Sequence, residues 1–295
     1  MMEQKKKVLF VATVVKTHIN TFHLPFLKMF KEYGWEVHVA AKNDFVDEPC
    51  VIPNCDRHFD IDFARSPFSK SNIKAYKQLK QIIETNHYDI IHCHTPVAGV
   101  LTRLAARTAK GTTVIYTAHG FHFYQGAPLI NWLVYYPVER VCGKFTDKLI
   151  TVNQEDYHRA NSWRLRNNGK IYYVPGIGVD LEEIQNISIN KVQKKKEIGI
   201  SNDVKVLLSV GELNKNKNHE IIIRVLSKLT NKNFIYLICG NGELKEYLKN
   251  LAKELGVSDK VKFLGYRKDV LEIYKIADLF LFPSKREGLP CSLIE

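Results

Sequence analysis

Short apolar runs alternate with longer segments whose apolar positions recur at helical spacing, and the alternation holds along nearly the whole chain. That pattern belongs to βαβ units wound around a parallel sheet. In the first half the expected strands are Val8 to Val15, Glu36 to Ala41, Asp89 to His92, Thr113 to Ala118, Lys148 to Val152 and Ile171 to Val174. Between them fall expected helices at Phe22 to Tyr33, Lys70 to Thr85, Ala98 to Ala109, Leu129 to Cys142 and Glu155 to Trp163.

A polar stretch from Glu182 to Asp203, with the basic run Lys194 to Lys196, breaks the alternation and is the expected linker. The pattern then restarts: strand Lys205 to Val210, helix Asn218 to Leu229, strand Phe234 to Cys239, helix Glu243 to Leu255, strand Val261 to Leu264, helix Val270 to Ile276 and strand Leu279 to Phe282. The chain therefore reads as α/β, with two Rossmann-like doubly wound domains: residues 1–180, a linker region at 181–203, and residues 204–295. A length of 295 residues suits two domains that each bury a core. Only four strands are expected in the second domain where about six are usual, so it reads as incomplete by roughly 60 residues.

Forty-three Lys and Arg against 31 Asp and Glu give a net charge of +12, within a soluble globular composition. Six scattered cysteines are too sparse for a disulfide framework and point to a reducing, cytoplasmic setting. The basic start followed by Val8 to Val15 imitates a signal peptide, but Lys16 and His18 interrupt it and no small-residue cleavage site follows. No segment approaches the roughly 20 apolar residues that span a bilayer.

Open α/β sheets bind ligands beyond the carboxyl ends of their strands. In the second half those positions hold Gly211 through His219, with Lys215 and Lys217; then Gly240-Asn241-Gly242; then Pro283 through Glu287. The first loop, a glycine turn with two lysines running into a helix start, suits a diphosphate. The second lets backbone approach a ligand closely. Either feature alone is also what an ordinary turn looks like. The run Glu287-Gly288-Leu289-Pro290-Cys291-Ser292-Leu293-Ile294-Glu295 brackets a turn and a helix start with two carboxylates able to accept sugar hydroxyls, above amides able to meet phosphate.

That run resembles the Glu, seven residues, Glu signature of retaining glycosyltransferases of family 4, which have the two-domain GT-B architecture. Other landmarks stand in the family's order: Asp89 to Pro96, Thr117-Ala118-His119-Gly120, Pro175 to Asp180, and Gly211 to Lys217. The resemblance spans essentially the whole chain and is nearest to bacterial capsule and exopolysaccharide enzymes. It implies that the first domain binds the acceptor and the second the nucleotide-sugar donor. It further implies that Lys217 meets the donor diphosphate, Glu287 the transferred sugar and Glu295 the ribose, with Gly211, Gly240, Gly242, Gly288 and Leu289 lining the donor. His119 is implied to hydrogen-bond the sugar beside the reacting carbon, making His119 and Glu287 the expected catalytic pair. Glu212 stands where the family usually has Arg, leaving Lys215 as the second cation the loop offers, and Lys16-Thr17-His18 replaces the family's glycine pair.

The implied reaction displaces UDP and forms the new bond on the same face of a hexosyl or N-acetylhexosaminyl group. Fixed cations and helix N-termini can take up the charge on the leaving diphosphate, so neither metal nor cofactor is expected. His92 and His94 flank Cys93 and point the same way on a strand, but without further ligands they read as structural. The expected acceptor-side residues are His18, His94 and Phe121.

Lys70, Lys74, Lys77 and Lys80 fall on one side of a helix whose other side carries Ala75, Tyr76, Leu79, Ile82 and Ile83. With Lys5 to Lys7 they form either a solvated face or a surface for anionic lipid, which would place a polyprenyl-diphosphate-linked glycan acceptor at the inner face of the cell membrane. Leu129 to Cys142, apolar nearly all round, reads as a buried helix. Two other readings stay open: a UDP-sugar 2-epimerase of the same architecture, and a truncated, non-catalytic basic binding protein. No aromatic RNA-binding or zinc pattern supports nucleic acid as a partner.

Overall fold

The computed structural model describes residues 5–46, 48–64, 66–176, 178–179, 181–230, 233–288 and 290–295. The chain divides into two compact units, Met1–Ile177 and Gly178–Glu295.

The first unit is built on a parallel sheet of strands β1 (Lys7–Val14), β2 (Glu36–Lys42), β3 (Arg57–Asp60), β4 (Ile90–His94), β5 (Thr113–Ala118), β6 (Lys148–Thr151) and β7 (Lys170–Tyr173). Their spatial order is β3-β2-β1-β4-β5-β6-β7, and every neighbouring pair is parallel. A strand covered on both faces can afford no polar alternation, and Val8 through Ala12 of β1 are fully buried. Alternate residues feed two cores: Leu9 and Val11 join one with Ile91, Cys93 and Val114, while Val8, Phe10 and Ala12 join the other with Val37 and Val39.

The second unit repeats the plan with β8 (Lys205–Val210), β9 (Phe234–Cys239), β10 (Val261–Gly265) and β11 (Leu279–Phe280), ordered β10-β9-β8-β11 and again parallel. Tyr236 and Ile238 point into one core, Leu237 and Cys239 into the other. Both sheets thus have a switch point where the winding reverses: between β1 and β4 in the first, between β8 and β11 in the second.

Three segments differ from the sequence reading. β3 is an edge strand whose Arg57 and Asp60 are exposed, and so lacks the apolar run that marks a buried strand. The polar stretch 181–203 holds helices Leu181–Asn186 and Lys191–Ile198 instead of open linker. The second is capped at both ends: the Asn190 side chain accepts the Gln193 N–H, and Gly199 takes the left-handed conformation at φ +71°. Lys194 fastens it to the helix Val270–Ile276 and the turn before it in the same unit, lying 2.5 Å from Asp269 and 2.7 Å from Glu272. Finally, the helix Leu129–Gly143 is not buried all round. Trp132, Tyr135 and Tyr136 pack on the core, but Leu129, Ile130 and Leu133 are 81%, 62% and 73% exposed.

One ion pair lies within the first unit's core. Arg103, on the helix Pro96–Ala105, is 1% exposed and sits 2.8 Å from Glu139 on the helix Leu129–Gly143, with its guanidinium stacked 3.8 Å over the Tyr116 ring.

Candidate functional site

In the second unit, the loops after β8 and β11 meet at the switch point. Asn214 folds the first loop by accepting the backbone N–H groups of Asn216 and Lys217. The loops are stitched together: the Asn216 amide donates to the Arg286 carbonyl at 2.8 Å, the Lys285 N–H to the Asn216 carbonyl at 2.9 Å, and the Asn218 amide to the Pro283 carbonyl at 3.3 Å. This stitching sets Lys217 Nζ 2.8 Å from Glu287 Oε1, each side chain about one fifth exposed. The expected diphosphate cation and the expected sugar-binding carboxylate are therefore direct partners. Lys217 also lies 5.6 Å over the Phe282 ring, and the helix His219–Ser227 starts two residues later.

The glycines have a steric reason. The Gly211 N–H donates to the Cys239 carbonyl and the Leu213 N–H to the Asn241 carbonyl, each at 2.9 Å, so the loops after β8 and β9 lie backbone to backbone. A Cβ on Gly240 would stand 1.9 Å from the Gly211 carbonyl oxygen, and one on Gly242 would stand 2.5 Å from that of Leu213. Lys215, Glu212 and Gly288 are exposed, and Glu212 accepts from the Asn214 amide at 3.0 Å. Glu295 takes a different partner from Glu287, accepting from the Tyr274 hydroxyl at 3.2 Å. Leu289, and Ile177 and Asp180 of the Pro175 to Asp180 landmark, lie outside the described residues.

At the first unit's switch point, β1 runs into a π-helical turn, Val15–Ile19, that carries His18, and a short turn then brings in His23. β4 runs two residues further than expected, so His92 and His94 both stand on it, with ring centroids 4.1 Å apart. His119 follows β5, and its Nε2 lies 3.3 Å from His94 Nδ1. His18 is 5.1 Å from His119, and His23 is 3.9 Å from His94, centroid to centroid. Burial lowers His18 and His92 to about 3, His23 to about 2 and His94 well below the usual value, with mutual repulsion among the rings adding to each, and the protein packed around His119, whose side chain still reaches solvent, lowers it to about 4 by desolvation. Thr95, the β-branched residue after β4, sits at φ +62° with its hydroxyl 2.8 Å from that of Thr13, a strained backbone position beside the cluster.

The structure thus brings His18, His94 and His119 together, while Phe121 lies in the core, stacked on Phe123 at 4.8 Å with its backbone N–H given to Asp156. His23 was not anticipated, because its spacing from His18 matches neither a helical nor a strand repeat. An Asp-x-Asp triplet, Asp60-Ile61-Asp62, begins at the last residue of β3; Asp60 accepts the Asn43 N–H and the exposed Asp62 pairs with Lys42. A recess of about 590 Å³ opens at the amino ends of β4 and β5, the end of this sheet opposite to its switch point.

A family model of "Glycosyl transferases group 1" matches residues 190–295, and one of "Glycosyl transferase 4-like" matches residues 7–153. Over 98% of its length the chain is 44% identical to "Putative glycosyltransferase EpsD" of Bacillus subtilis (strain 168), covering 76% of that protein. The chain is a group 1 glycosyltransferase. This glycosyltransferase is also 34% identical, over 77% of its own length and 58% of the relative's, to the UDP-Gal:alpha-D-GlcNAc-diphosphoundecaprenol alpha-1,3-galactosyltransferase of Escherichia coli. Its fold matches that of Anabaena Alr3699/HepE in complex with UDP and glucose, with a TM-score of 0.72 and 20% identity over 96% of this chain and 76% of the other. The two parallel sheets, of seven and four strands, are the GT-B-like glycosyltransferase fold.

Proposed function

We propose that this glycosyltransferase moves a hexosyl or N-acetylhexosaminyl group from a UDP-sugar to a polyprenyl-diphosphate-linked glycan, with retention of configuration, in the assembly of an exopolysaccharide or capsule. The observation that carries the reading is the Lys217–Glu287 pair at the second switch point. A cation tethered to a carboxylate is poised for exchange: donor diphosphate takes the ammonium, which frees Glu287 to accept the hydroxyls of the sugar. Lys217, the N-terminus of the helix His219–Ser227 and the exposed Lys215 then face the charge that grows on departing UDP, which is how a fixed cationic site lowers such a barrier. Gly240 and Gly242 hold the neighbouring backbone close, and Glu295, held by Tyr274, is assigned to the ribose.

His119 acts in this reading as a neutral imidazole that hydrogen-bonds the sugar, with His18 and His94 on the acceptor side. Support for the substrate classes comes from the Escherichia coli relative, whose name specifies UDP-Gal and a diphosphoundecaprenol-linked acceptor, and from the UDP and glucose held by Anabaena HepE. No described helix is long and apolar enough to cross a membrane. Contact with the cytoplasmic face of the cell membrane is assigned instead to exposed Lys70, Lys74 and Lys77, at about 1 kcal/mol per well-placed charge, and to the apolar face of Leu129, Ile130 and Leu133.

The test is transfer itself. Purified protein is incubated with individual UDP-sugars and a polyprenyl-diphosphate-linked acceptor, and the product is analysed by mass spectrometry and by proton NMR of the new anomeric centre. The expected product carries one added sugar with the donor's configuration, and Glu287→Gln lowers its rate by about 100-fold or more. An inverted linkage, or an epimerised UDP-sugar formed without acceptor, contradicts the proposal.

A further inference from the structure

Five of the eleven histidines gather at one switch point, and four of them present ring nitrogens to one another. One nitrogen from each of His18, His23, His94 and His119 falls within 4.8 Å of every other. The fifth is engaged elsewhere, His92 Nε2 meeting the Thr117 hydroxyl at 2.8 Å. Buried polar atoms are almost always paired, yet both nitrogens of His23, which is 1% exposed, have no hydrogen-bond partner among the described residues. The same holds for Nε2 of His18 and Nε2 of the 2% exposed His94. Neutral imidazoles with free lone pairs are what a borderline transition metal binds, and burial keeps these rings neutral.

We propose that His18, His23, His94 and His119 form a binding site for a borderline divalent transition metal, with Zn2+ the best match. Tetrahedral Zn–N bonds of about 2.0–2.1 Å place ligand nitrogens somewhat over 3 Å apart, so nitrogens that already lie within 4.8 Å of one another have to approach by at most about 1.5 Å. His119 is exposed and supplies the entry path, while the other three rings line the floor. The elements that carry the ligands are fixed independently: β4 by its neighbours β1 and β5, and the turn carrying His18 by Asp44, which accepts the Lys16 N–H at 2.6 Å. Carboxylates are absent from the described ligand set, and four neutral nitrogens favour zinc, copper or nickel over magnesium or calcium. Metal held on His119 removes that ring from the sugar, so the site acts as a metal-operated brake on transfer; this consequence alone rests on the role of His119 given above.

Tag-free, chelator-stripped protein is titrated with Zn2+ in competition with a chromophoric chelator, and separately with Co2+. The expected result is one Zn2+ per chain, an affinity reduced at least 10-fold in His23→Gln and in His94→Gln but unchanged in His158→Gln, and the intense visible bands of four-coordinate Co2+. Circular dichroism confirms that each variant is folded. Should the histidine variants fail to fold, X-ray absorption on the zinc-loaded wild type decides: four nitrogen neighbours with imidazole scattering support the site, and fewer than four overturn it. Absence of stoichiometric binding, or equal binding by wild type and folded His23→Gln, also overturns it. The transfer consequence is read apart from binding, as inhibition by Zn2+ that EDTA reverses and His23→Gln escapes, with UDP affinity unchanged.

Discussion

Replacing Gly240 by alanine tests how tightly the donor loops are built. At φ +145° a side chain is disfavoured, and the added Cβ would stand 1.9 Å from the Gly211 carbonyl oxygen and 2.8 Å from its carbon. Ordinary contact lies beyond 3.4 Å, so backbone has to retreat by more than an ångström at the base of the loop that carries Lys217. Gly34 is the internal standard: at φ +80° it has nothing within 4 Å of an added Cβ, so Gly34→Ala incurs only left-handed strain of about 1–2 kcal/mol. Gly240→Ala adds overpacking of about 1–3 kcal/mol against unyielding backbone. Urea denaturation of both variants, with the slope of the transition unchanged, reports the difference. Gly240→Ala is expected to be the less stable by that added amount and to bind UDP at least 10-fold more weakly than Gly34→Ala. Equal midpoints and equal UDP affinities would refute the reasoning.

Arg103→Met strands the buried carboxylate of Glu139 and is expected to cost about 3–5 kcal/mol, whereas Arg103→Met with Glu139→Leu recovers most of it; urea midpoints of the two variants decide. Asp269 is held at about 2, from 3.8, chiefly by its hydrogen bonds from Arg267 and then from Lys194. Its pKa is depressed on folding, so its contribution is complete above about pH 4 and fades as pH falls to about 2; acid unfolding of wild type should lose stability across that window by a margin absent from Asp269→Asn. Lys194→Met releases Asp269, Glu272 and Glu197 together and should increase proteolysis within 181–203, the segment that Lys194 ties to Asp269 and Glu272 within the second unit.

Strands buried on both faces were legible because burial demands unbroken apolar runs: β1, β5, β8 and β9 stand within one residue of where the hydrophobic pattern places them. β3 was not, because Arg57 and Asp60 on an edge strand face solvent and erase that signal. The helix Lys191–Ile198 did carry one, in Asn190 as N-cap and Gly199 as left-handed C-terminal glycine, but its lysine-rich surface conceals that Lys194 is buried together with Ile198. The helix Leu129–Gly143 misleads in the opposite sense, since apolar composition does not reveal whether a face is covered.

At the site, the order Lys217, Glu287, Glu295 was readable along the chain, but the direct Lys217–Glu287 pairing comes from two loops 70 residues apart that only the sheet order brings together. The histidine cluster has the same origin. His18 and His23 follow β1, His94 ends β4 and His119 follows β5, three segments joined only by the neighbouring positions of those strands.

Isothermal titration of UDP into the purified protein, beside Lys217→Ala and Glu295→Ala, tests the donor site most directly. Saturable binding at one UDP per chain is predicted, weakened by both substitutions, with the larger loss in Lys217→Ala because diphosphate carries most of the ligand's charge. Absence of UDP binding by folded wild-type protein, or affinity indifferent to Lys217, would contradict the assignment of this switch point to a nucleotide-sugar donor.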